Sequence, residues 1–112
     1  MSIQGSLVKS ITPVDLKQLL AQGNPPLILD VREAEELKIC SLPNAIHIPL
    51  RNLPVALDRL PEGRSVVTVC HYGRRSLQGV LFLKNQGIEQ VLNLAGGIDA
   101  WAEQVDVSMK RY

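Results

Sequence analysis

Ser65-Val66-Val67-Thr68-Val69-Cys70-His71-Tyr72-Gly73-Arg74-Arg75-Ser76 is the stretch that decides how this 112-residue chain is read. Its first half is the strongest buried-strand signal present, an uncharged run of β-branched residues. Its second half passes through Gly73 into Arg75–Gln86, where Leu77, Val80, Leu81 and Leu83 form the apolar face of a helix ended near Gly87. Strand, tight turn and helix in that order put Cys70 just beyond the carboxyl end of a strand, where ligands bind in open α/β sheets. The turn also leads into a helix N-terminus, whose free N–H groups and positive dipole end favour an anion. Gly73 can adopt positive φ, so several N–H groups can turn inward, and Arg74 and Arg75 add two fixed positive charges.

That setting bears on the thiol. A free cysteine with a pKa near 8.5 is only ~3% thiolate at pH 7. A fall of about two units, within the range for thiols at helix N-termini or beside arginine, would make it mostly thiolate. The expected result is a nucleophile seated among anion-binding groups. The bland alternative is a buried, inert cysteine at a strand end, a common fate for free cysteine. A glycine three residues on, an arginine five residues on and a helix start beyond argue against it.

Outward from this segment, strand and helix signals alternate, which predicts a parallel α/β sheet. Leu7–Ile11 reads as a first strand. Thr12 looks like an N-cap, with Pro13 at the first helical position and Asp15 three residues after the cap. Leu16, Leu19 and Leu20 share a helical face, and Gly23 marks a stop. Leu27-Ile28-Leu29-Asp30-Val31 suits an interior strand. Glu33–Leu37 suits a short acidic helix, and Ile46-His47-Ile48 a strand near an edge, because Pro49 lacks a donor. Leu53–Leu60 offers a weak helix. Val91–Leu94 is the last strand, and Gly96-Gly97 opens a final helix through Trp101. The whole chain, 1–112, is expected to form one domain, with the polar residues 108–112 loose.

Composition narrows the function classes. An apolar share of 46% is ordinary for a globular chain, and a formal net charge of +1 directs it to neither nucleic acid nor a membrane surface. Met1–Gly5 lacks the basic, then apolar, pattern of a signal peptide, and no run reaches the roughly 18 apolar residues of a membrane span. A cytoplasmic chain with reduced thiols is therefore expected, with no Cys40–Cys70 disulfide. Two histidines and two cysteines without a closely spaced ligand pair predict no metal, and no cofactor is expected.

Three ordered motifs make the chain similar to the rhodanese family of sulfurtransferases. Cys70, Gly73, Arg75 and Ser76 match the family's cysteine–x–x–glycine–x–arginine–serine/threonine loop. Leu29-Asp30-Val31-Arg32-Glu33 matches its aspartate–valine–arginine strand end, and Leu94-Ala95-Gly96-Gly97-Ile98-Asp99-Ala100-Trp101 its closing glycine–glycine and tryptophan motif. The resemblance implies a central parallel sheet of about five strands with helices on both faces. It also implies that Cys70 accepts sulfane sulfur from thiosulfate or a persulfide. The sulfur then passes to cyanide, a thiol or a sulfur-relay partner protein. By the same resemblance the loop His71, Tyr72, Gly73, Arg74, Arg75 and Ser76 binds the donor, with Arg75 on the transferred or oxyanionic group. Asp30 and Arg32 support the loop by hydrogen bonds and ion pairing.

One segment departs from the pattern. Where the family has glycine–histidine–isoleucine–proline–glycine–alanine, this chain has Cys40-Ser41-Leu42-Pro43-Asn44-Ala45. Asn44 tolerates the left-handed conformation the glycine would use. Cys40 is expected to be a small packing residue, Trp101 a core filler and His47 a satisfied or exposed histidine. Two other functions stay open. A cysteine phosphatase or arsenate reductase also seats a thiolate among anion donors, but its usual spacing is Cys-x5-Arg, one residue longer than Cys70 to Arg75. A non-catalytic interaction module typically lacks the cysteine.

Overall fold

The computed structural model describes residues 9–112. Five parallel strands, β1 (Ser10–Ile11), β2 (Leu27–Asp30), β3 (Ile46–His47), β4 (Val66–Val69) and β5 (Val91–Leu94), form one sheet in the order β1-β5-β4-β2-β3. β4, the strand that leads to Cys70, is the middle one, and β3 lies at an edge as its neighbour Pro49 suggests. Among the described residues four α-helices accompany the strands: α1 (Pro13–Leu20), α2 (Ala34–Leu37), α3 (Arg74–Asn85) and α4 (Gly97–Gln104).

The two-residue period of a strand sends alternate side chains to opposite faces. Leu27, Leu29 and Val31 of the β2 segment join Val66 and Cys70 in a core that includes Leu53 and, from α3, Val80 and Leu83. Ile28, Val67 and Val69 point the other way, into a core with Leu16 of α1 and Ile98 and Trp101 of α4. Helices therefore cover both faces, which is why β2 and β4 are buried at every position.

Local signals were obeyed at several ends. Thr12 Oγ1 accepts from the N–H of Asp15 at 3.1 Å, and Asn44 sits at φ 61°. Three expectations need correction, and a fourth lies partly outside the described residues. Leu53–Leu60 is not one helix but two 3-10 segments, Leu50–Val55 and Leu57–Arg59, closed by the i→i−3 bonds of Ala56 N–H to the Leu53 carbonyl and Leu60 N–H to the Leu57 carbonyl. α1 stops at Leu20, short of Gly23. Of the first strand, Ser10–Ile11 is formed and residues 7 and 8 lie outside the described residues. Residues 108–112 are docked rather than loose: Arg111 pairs with Asp99, and Tyr112 reaches Arg32 and Glu36. No helix among the described residues is long and apolar enough to cross a membrane.

Candidate active site

Cys70 follows β4 directly and is only 1% exposed. Gly73, the N-cap of α3, has φ 102°, a conformation that turns its N–H back to the sulfur; the distance to Cys70 Sγ is 3.1 Å. Ser76, in the first turn of α3, places its hydroxyl 3.2 Å from the same sulfur. Ser76 Oγ also donates to Asn93 Oδ1, while Asn93 Nδ2 donates to the Gly73 carbonyl at 3.0 Å. The bond to Gly73 fixes which way the Asn93 amide faces. With the Ser76 proton committed to Asn93, a neutral Cys70 thiol donates to Ser76 Oγ. A thiolate has no proton to give, so it accepts the Ser76 O–H hydrogen bond in place of Asn93 Oδ1.

The start of α4 closes the other side of the loop. Ile98 N–H donates to the Cys70 carbonyl at 2.8 Å and Asp99 N–H to the His71 carbonyl at 3.1 Å. Only glycine fits between: a Cβ on Gly97 would stand 2.4 Å from the His71 carbonyl oxygen. The glycine–glycine motif thus lets one backbone approach another, and two helix N-termini flank the loop.

Asp30 and Arg32 lie below it, both fully buried. Arg32 Nε donates to both Asp30 carboxylate oxygens at 3.0 and 3.1 Å, and Nη2 donates to Asp30 Oδ2 at 2.7 Å and to the Cys40 carbonyl at 2.8 Å. Nη1 reaches the Tyr112 hydroxyl at 3.0 Å. Burial opposes the Arg32 charge, but the bonds it donates to Asp30 and Tyr112 outweigh it, and its pKa is raised. These residues hold chain segments together.

Arg75 does not stand free beside the sulfur. Its Nη1 and Nη2 donate to Glu36 Oε1 and Oε2 at 2.6 and 2.7 Å, a bidentate pair from α3 to α2. Glu36 Oε1 also takes the Glu33 N–H at 3.1 Å, a capping box, and Oε2 takes the Tyr112 hydroxyl at 2.6 Å. The bond from Arg75, against the cost of burial, lowers the Glu36 pKa to about 2, and Glu36 in turn raises that of Arg75. Burial, and then the bond to Glu36, pushes Tyr112 up to about 12. The His71 ring stacks on both Tyr72 and Tyr112 with centroids 3.8 Å apart, while Tyr72 and Arg74 are exposed at the rim.

The structure thus links Cys70, Gly73 and Ser76 through Asn93, links Asp30, Arg32 and Arg75 through Tyr112 and Glu36, and leaves Arg74 exposed. Cys40 and Cys70 are both free thiols. Cys40 packs against the Trp101 core, and His47 Nε2 bonds the Arg32 carbonyl at 2.6 Å. Three site residues escaped the sequence reading: Glu36, Asn93 and Tyr112. Asn93 had a signal, because an amide in the apolar strand Val91-Leu92-Asn93-Leu94 needs a buried partner. Glu36 had a fainter one in the Glu33-x-x-Glu36 capping pattern.

This architecture and loop define a class, and comparison with known proteins agrees. Residues 12–104 match the model of the rhodanese-like domain, and the chain belongs to that family. It is 38% identical over 96 residues to a sulfurtransferase of Allochromatium vinosum, covering 86% of this chain and 90% of that protein. A putative sulfur carrier protein of Bacillus subtilis is 31% identical over 105 residues, but the chain spans only 57% of its length. Among solved structures, a rhodanese-like domain protein from Staphylococcus aureus superposes with a TM-score of 0.81 at 36% identity, covering 88% of this chain and 95% of that one. Family and relatives together support sulfur transfer as the general chemistry.

Proposed function

We propose that this chain carries sulfane sulfur as a persulfide on Cys70, in the cytosol, between a small donor and an acceptor thiol, cyanide or a relay protein. The observation that carries the reading is the sulfur of Cys70 facing the Gly73 N–H and the Ser76 hydroxyl at the start of α3. These donors favour negative charge on sulfur, first on the thiolate and then on the terminal atom of the persulfide. With thiosulfate, the thiolate pair forms a bond to the sulfane sulfur and the bond to the sulfonate sulfur breaks. Sulfite leaves with that electron pair. Cyanide then takes the terminal sulfur as thiocyanate and returns the thiolate. Relatives named as sulfur carriers and sulfurtransferases support a relay role.

Mass spectrometry of the chain after thiosulfate, an organic hydropersulfide or polysulfide should show one added sulfur atom on the peptide with Cys70. Cyanide should remove it, and Cys70→Ser should never acquire it. Cys40→Ser should load normally. No loading from any of the three donors, with turnover of an aryl phosphate instead, would overturn the reading in favour of a phosphatase.

A further inference from the structure

The charges around the loop are matched to a degree that a site built for dianions would not need. Among the described residues Arg32 pairs with Asp30, Arg111 with Asp99 and Arg75 with Glu36. Arg74, the remaining arginine of the loop, is exposed. Arg75 stands in the first turn of α3 between Gly73 and Ser76, which both touch the Cys70 sulfur, yet its Nη1–Nη2 edge is occupied by a carboxylate. That carboxylate accepts four hydrogen bonds, so neither oxygen is free to release the guanidinium cheaply.

We propose that Glu36 sets donor selectivity: by neutralising Arg75 beside the sulfur, it tunes the site for neutral or singly charged sulfane donors, hydropersulfides above all, over the thiosulfate dianion. The inference rests on the sulfur-transfer reading. A thiolate meeting thiosulfate brings three negative charges together. A thiolate meeting a neutral hydropersulfide brings one, which leaves on the departing thiolate while the proton stays on the transferred sulfur. An arginine with its charge cancelled gives little help with three charges and is sufficient for one.

Steady-state transfer to cyanide by wild type and Glu36→Gln, with thiosulfate and the monoanion benzenethiosulfonate as donors, tests this. The restored positive charge acts on each donor charge, so the dianion's gain is the square of the monoanion's. A roughly threefold rise in kcat/KM for benzenethiosulfonate should accompany a rise of about tenfold for thiosulfate. Equal changes for both donors, or a fall for both, would show that Glu36 only holds Arg75 in place, and would overturn the inference. Circular dichroism checks the fold of the variant. Should Glu36→Gln lose its helices, a wild-type salt series decides. Thiosulfate kcat/KM should change less than about twofold between ~20 and ~200 mM salt, and a tenfold fall would reveal an uncancelled cation. A wild-type chain that takes sulfur from neither of these donors, nor from an organic hydropersulfide or polysulfide, overturns the sulfur-transfer reading itself. Transfer with an unchanged donor ratio in the variant overturns the selectivity alone.

Discussion

Two arginine–carboxylate pairs lie under the same loop and differ in almost everything but chemistry. Asp30–Arg32 is fully buried, and every nitrogen of the guanidinium is hydrogen-bonded. Glu36–Arg75 is part-open, with side-chain exposures of 17% and 37%. For the first, the cost of taking two ions out of water offsets much of their attraction, so its worth lies in what breaks when one partner goes. For the second, solvent weakens the pair, and the role we propose for it is to set the charge beside Cys70. The Tyr112 hydroxyl links them, accepting from Arg32 and donating to Glu36. One pair is architecture, and the other is adjustable.

The largest effect should come from breaking the buried pair. Asp30→Ala leaves Arg32 charged and without its carboxylate inside the protein, a loss of about 3–5 kcal/mol. Urea unfolding would measure it; a loss below ~1 kcal/mol would erase the contrast between the pairs. Arg75→Ala should lower stability by at most about 1 kcal/mol, because its pair is part-open. Its mark should fall on chemistry instead, with thiosulfate kcat/KM reduced about 10–100-fold as the unpaired Glu36 charge repels the donor. The double variant Arg75→Ala with Glu36→Gln removes both charges and should return most of that loss, which a double-mutant cycle would show.

Acid should separate the pairs further. Glu36 titrates at about 2 in the folded chain, held down by Arg75, against ~4.3 in an unfolded chain. The unfolded state therefore takes up the proton first. The stabilisation is complete above about pH 5 and disappears as pH falls through 2. Urea midpoints from pH 6 to 2 should fall less steeply for Glu36→Gln than for wild type, and parallel curves would count against the pairing. The smallest effect should come from Tyr112→Phe. It removes one hydroxyl that bridges the two pairs but keeps the stack on His71, so about 1 kcal/mol should be lost. A larger loss would mean that the tail, rather than α2, holds Glu36 in place.

What could be read in the sequence was local. Val66–Val69 alternates its faces because strands have a period of two, and Thr12, Gly73 and Asn44 announce backbone conformations through their own chemistry. The strand, turn and helix signals placed Cys70 at a strand end before a helix, and the structure keeps it there. Partners across the chain were not legible in this way. Glu36 and Arg75 are 39 residues apart, and Tyr112 is 76 from Glu36. They meet because β2, β4 and β5 are neighbours that run parallel, which brings their carboxyl ends to one end of the sheet. Pattern and propensity depend on neighbours a few residues away, so they locate a thiol, a turn and a helix start. Which carboxylate cancels which arginine is a matter of distance in space, and only the packed sheet determines that.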